Sequence, residues 1–103
     1  MRRSFYAKVN KMAEIKTAIL RIKKMEHLYD MLSEYSENTQ NEPLTNTELK
    51  AAFVTLSSYY TGGDWLHDYE LDEKGLIPSD IKRGVLSQDG LYNLLEEIKS
   101  PDR

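Results

Sequence analysis

Between residues 8 and 35 the chain runs twenty-eight positions without a glycine or proline. Over that stretch Met12, Ile15, Ile19, Ile22, Met25, Tyr29, Leu32 and Tyr35 recur at spacings of three and four. This is the period of one face of an α-helix, and it predicts a single helix of roughly 40 Å. Leu20, Leu28 and Met31 widen the apolar surface beyond a narrow seam, so more than one neighbour is expected on it. The rest of the chain must supply those neighbours, or a second copy must.

The other segments read as shorter helices. A polar loop, residues 36–43, carries a proline stop. Thr45 is placed to cap a second helix, with Glu48 as capping-box partner and Leu44 and Leu49 as staple. Its inner face is expected at Leu49, Ala52, Phe53, Leu56 and Tyr60, and Gly62-Gly63 ends it. Asp64 then caps a short helix with Trp65, Leu66 and Tyr69. Gly75 turns the chain, Pro78 opens a single helical turn to Ile81, and Gly84 breaks it. Ser87 caps a last helix whose inner face is Leu91, Leu94, Leu95 and Ile98.

The expected fold is therefore all-α: a long helix 1 paired with antiparallel helix 2, an irregular acidic connector, and a C-terminal helix packed back on helix 1. One domain covers residues 1–103, with 1–10 an N-terminal extension and 99–103 a frayed tail. Helix 2, roughly 24 Å long, can cover only the C-terminal half of helix 1. The connector and the last helix are expected over the N-terminal half, unless a second protomer covers it.

Composition narrows the function classes. There is no cysteine, so disulfides and thiolate metal sites are excluded. No apolar run approaches the ~20 residues of a membrane span, and the first residues lack the apolar core of a secretion signal, so a cytoplasmic setting without membrane is expected. The net charge of −3 is unevenly spread. Residues 1–25 hold eight cations against Glu14 alone, and the remainder holds six against sixteen acids, so the two parts carry +7 and −10. This split suggests that acidic residues 64–73 lie near basic residues 16–24.

Catalytic signatures are missing from the sequence. There is no HExxH, no GxSxG and no glycine-rich phosphate loop. His27 and His67 read as surface histidines. The acids Asp68, Glu70 and Asp72 are the candidates for a divalent cation, but a calcium loop starting at Asp68 lacks both the glycine at position six and the glutamate at position twelve. No metal or cofactor is assigned. Lys82 and Arg83, just before the Ser87 helix start, suggest an anion site, but Ser87 and Asp89 already serve that helix end. Arg83 is instead expected on a carboxylate of the acidic run.

The string from 64 to 95 is dense in rare elements: Asp64-Trp65, Asp68-Tyr69-Glu70, Asp72-Glu73, Gly75, Pro78, Asp80 through Ser87, Asp89 and Leu91 through Leu95. With Arg21 through Glu26 on helix 1, it resembles a family of small bacterial proteins catalogued as domain of unknown function 4298. The resemblance runs from about Ile15 and implies a stand-alone helical fold with no assigned chemistry.

The functional expectation is a non-enzymatic protein–protein interaction or regulatory module, acting as a homodimer or with another protein partner. Trp65, Asp68, Tyr69, Asp72, Lys82 and Arg83 are the residues expected to hold the connector or to bind. The alternatives are small-ligand or divalent-metal binding through residues 64–73, and nucleic-acid binding through the basic half of helix 1. The overall acidity and the lack of a recognition motif weigh against nucleic acid.

Overall fold

The computed structural model describes residues 2–38 and 44–99, with side chains from Asn10 onward. It contains α1 (Arg2–Asn38), α2 (Thr47–Thr61), α3 (Asp64–Glu73), a 3-10 turn (Gly84–Leu86) and α4 (Gln88–Lys99). No strand occurs among the described residues. The fold is all-α, with α1 as the spine on which α2, α3, the 3-10 turn and α4 all pack.

Helix α1 begins earlier and ends later than the apolar period alone indicates, absorbing Ser36 through Asn38 from the expected loop. The loop residues 39–43 and the tail 100–103 lie outside the described residues. Of the predicted stripe, Ile22, Met25 and Leu32 are buried, as is Ala18 beside it. Ile15, Ile19, Tyr29 and Tyr35 are half-buried. Met12 is 61% exposed, so the stripe goes uncovered at its N-terminal end, and Leu20, outside the stripe, is 70% exposed.

Helix α2 starts one residue later than expected. Asn46, not Thr45, is the cap: its backbone is extended and its Oδ1 accepts from the Leu49 N–H at 3.0 Å. Asparagine outranks threonine at this position, and either residue could have filled it. The shift takes Glu48 out of the capping-box position. The buried face is Ala52, Leu56 and Tyr59, with Leu49, Phe53 and Tyr60 at its edge.

Gly62-Gly63 ends α2 as expected, with Gly62 as the C-cap, its N–H donating to the Ser58 C=O, and Gly63 following it. Gly63 sits at φ 103, a region that L side chains rarely enter, and it caps α3 in place of Asp64, which is the first residue of that helix. Residues 78–81 form a hydrogen-bonded turn, Ile81 N–H to Pro78 C=O at 3.2 Å, and not the expected helical turn. Gly84 opens a 3-10 turn instead of breaking a helix.

Helix α4 also lies elsewhere than expected. Gly90 stands against Tyr29 and the Ser36 hydroxyl donates to Glu97. A seven-residue advance on α4 thus matches a seven-residue advance on α1, and the two helices run parallel. Both α2 and α4 therefore cover the C-terminal part of α1, and only α3 reaches toward its N-terminal half. The physical reason is the short return of the connector, which comes back to α1 at Glu26 and leaves α4 to run on from there. Ser87 serves as the expected α4 start, its Oγ accepting from the Gly90 N–H at 3.2 Å and its C=O from Leu91 N–H at 2.9 Å.

Candidate functional site

Asp68 is the centre of the polar structure. It projects from the inner face of α3, is 0% exposed, and takes three bonds from two other helices. Arg21 of α1 donates Nε to Oδ2 at 2.9 Å and Nη2 to Oδ1 at 2.5 Å. Tyr59 of α2 donates its hydroxyl to Oδ2 at 2.8 Å. A buried carboxylate held by a two-pronged guanidinium and a phenol is fully engaged and faces no solvent. The bond to Asp68 raises the Arg21 pKa further above its ordinary value. Burial, then the bond to Asp68, pushes the Tyr59 hydroxyl far above the usual tyrosine range.

His67 extends this network. Its Nε2 meets Glu14 of α1, and its Nδ1 lies 3.3 Å from Arg21 Nη2. One neutral tautomer fits both contacts, with Nε2–H donating to Glu14 and Nδ1 accepting from Arg21. The bond from His67 holds the Glu14 carboxyl below its ordinary range.

A second anchor fixes the connector's far end. The Val85 peptide is gripped on both sides: its N–H donates to Glu26 Oε1 of α1 at 2.8 Å, and its C=O accepts from Trp65 Nε1 at 3.0 Å. Trp65 is buried, stacks on Tyr69 at 5.1 Å and 6°, and meets Tyr60 edge-on at 5.3 Å. This join needs a close approach. A Cβ on Gly84 would lie 3.3 Å from Glu26 Oε2 and 3.4 Å from Tyr29 Cε2, so a side chain there would push on the carboxylate that holds Val85.

Arg83 closes the loop between the two anchors. It pairs with Asp72 of α3, donates to the Pro78 C=O, and donates Nε to the Ile81 C=O at 3.2 Å. Thus Trp65, Asp68, Tyr69, Asp72 and Arg83 fall in three neighbouring groups of contacts along the connector: Asp68 with Arg21 and Tyr59, Trp65 with Val85 and Tyr69, and Arg83 with Asp72. Lys82 and Glu70 are exposed. Lys82 lines a shallow polar cleft with Lys23, Glu26, His27, Asp30 and Asp80, where charges of both signs alternate. Of the basic residues 16–24, Arg21 alone engages the acidic run; Lys16, Lys23 and Lys24 are exposed. Asp68 and Asp72 are each engaged by an arginine, and among the described residues no group of three His, Asp or Glu is placed to hold a metal ion.

Sequence reasoning placed Tyr60 rather than Tyr59 on the inner face of α2, and it did not find the Glu26 grip or the Glu14–His67 contact. Nor did it find the apolar groove that opens between α2 and α4. This groove has a volume of about 440 Å³ and is lined by Phe53 and Tyr60 on one side and Tyr92 and Leu95 on the other, with Glu96 and Lys99 at its edge.

These contacts tie a small all-α body together through a connector rather than through helix packing alone. The chain belongs to the family described as Domain of unknown function (DUF4298), which matches residues 22–100. The match takes in the Val85 grip, the Arg83 clip and the groove, and it begins just after Arg21. No curated protein and no solved structure matches the chain. Among the described residues no helix is long and apolar enough to cross a membrane.

Proposed function

We propose that this chain is a non-enzymatic protein–protein interaction or regulatory module whose docking surface is the groove between α2 and α4. The observation that carries the reading is the division of labour between its side chains. Asp68, Asp72 and Arg83, the connector charges best placed for a polar binding site, are turned onto one another or onto α1 and α2. Four large apolar and aromatic side chains meanwhile line an open groove, with Tyr92 48% exposed. Aromatic residues at the centre of a patch, with charges at its rim, are the usual anatomy of a protein interface.

The test compares the wild-type chain with Tyr92→Lys. Each is taken through size exclusion with light scattering at two concentrations and through capture from an extract of its own source cells. The expected result is at least one protein, a second copy or another chain, held by the wild type and lost by the variant. Identical behaviour of the two in both assays would overturn the reading.

A further inference from the structure

We propose, resting on the reading above, that the groove between α2 and α4 receives residues 2–13 of α1 from a second copy of this chain, in a reciprocal two-fold exchange.

The first observation concerns α1. Among the described side chains, Glu14 is the most N-terminal one that meets another element. The helix nevertheless continues for twelve residues beyond it, about 18 Å. The long dimension of the molecule is 59 Å against 22 and 18 Å across, as a projecting helix end requires. In sequence, Phe5, Val9 and Met12 continue the three-and-four spacing of Ile15, Ile19 and Ile22. The stripe that forms the core further along is thus prolonged past the body, and Met12, its first described member, is 61% exposed.

The second observation is charge. Residues 1–13 carry four cations, Arg2, Arg3, Lys8 and Lys11, and no acid. The remaining residues hold ten cations against seventeen acids, a net −7. A second copy of this chain therefore offers an anionic body to a cationic arm, which steers the encounter and sets its orientation. An anionic lipid surface would attract the arm but repel the body, which favours the protein partner.

The third observation is shape. Helix α2 runs back along α1 and α4 runs parallel to it, so α2 and α4 are antiparallel to each other. A helix laid in the groove between them would complete a four-helix arrangement with α1 on the far side. From Phe53 to Tyr60 the groove wall is about 10 Å long, and from Tyr92 to Lys99 about the same, so a three-turn arm is long enough to fill it. Each copy has one arm and one groove, which is the closure that a two-fold dimer needs.

The experiment uses the full chain with two variants, each checked for folding by circular dichroism: Val9→Lys with Met12→Lys in the arm, and Tyr92→Lys in the groove. Light scattering is expected to give two chains for the wild type. Each variant alone is expected to dissociate at least tenfold more readily. An equimolar mixture of the two should regain association, because one arm and one groove remain intact in the mixed pair.

A wild type of one chain at every concentration would overturn the proposal, as would a dimer that survives both variants or a mixture that fails to regain association. If the monomeric wild type instead sediments with vesicles containing anionic lipid and the arm variant does not, the arm's partner is a membrane surface and the proposal is equally lost. In all these cases the interaction reading stands if Tyr92→Lys still releases a captured protein, and it falls with the proposal if that variant changes nothing.

Discussion

Residues 2–13 are three turns of uninterrupted helix, whereas residues 62–87 contain one ten-residue helix, two glycine turns and a single 3-10 turn. The irregular stretch is nevertheless the better anchored. Asp68 is tied to α1 and α2, Arg83 clips the loop through Asp72, and the Val85 peptide is held from both sides. At the regular end, the first described apolar side chain stands 61% exposed. Local helix satisfies its own backbone and needs no neighbour to do so, whereas a connector must have its polar groups met by side chains from elsewhere. Anchorage in this protein comes from where charged and polar side chains are spent, and not from regularity.

Four changes break or sharpen that contrast, in falling order of effect. Asp68→Ala leaves the Arg21 guanidinium and the Tyr59 hydroxyl without their partner. Loss of one member of such a pair costs about 3–5 kcal/mol, the lower end being expected because Arg21 is partly solvated, and chemical denaturation will read it. Glu26→Ala strips the buried Val85 N–H of its acceptor at a cost of about 2 kcal/mol, and thermal melting should show a drop of about 10 °C.

Tyr59→Phe removes one of three bonds to Asp68, about 1 kcal/mol. It also changes the pH response. Tyr59 ionises far above the ordinary 10.0 in the fold, so its contribution is full below about pH 10 and lost as pH rises beyond that. The wild type should therefore lose stability in strong alkali more steeply than Tyr59→Phe, measured by denaturant titration at stepped pH. On the exposed side of α1, Leu20→Lys alters a side chain 70% exposed and should change unfolding free energy by less than about 0.5 kcal/mol.

The same contrast governs what could be read from the sequence. Helices α1, α2 and α4 were legible because their apolar spacing is regular and because Ser87 can cap only a helix on its C-terminal side. The engagement of Arg83 with the acidic run was also legible, since a guanidinium so close to several carboxylates has few other uses. The cap of α2 was misplaced by one residue because Thr45 and Asn46 can both accept the bond. Tyr60 was put on the inner face of α2 in place of Tyr59 because the two are adjacent, and only Asp68, arriving from α3, decides which of them turns inward. The seat of α4 was misread for a related reason. Length matching sends the last helix to the uncovered half of α1, but Glu26 catches Val85 first and returns the chain to the other half.

Native-state hydrogen exchange, measured residue by residue at two protein concentrations, tests this account most directly. The Val85 amide, bonded to Glu26, should exchange only through global unfolding and at a rate independent of concentration. The amides of residues 2–13 should exchange far faster in dilute solution and become protected only as concentration rises. A Val85 amide that exchanges as readily as the arm in dilute solution would contradict the claim that the connector is the anchored region.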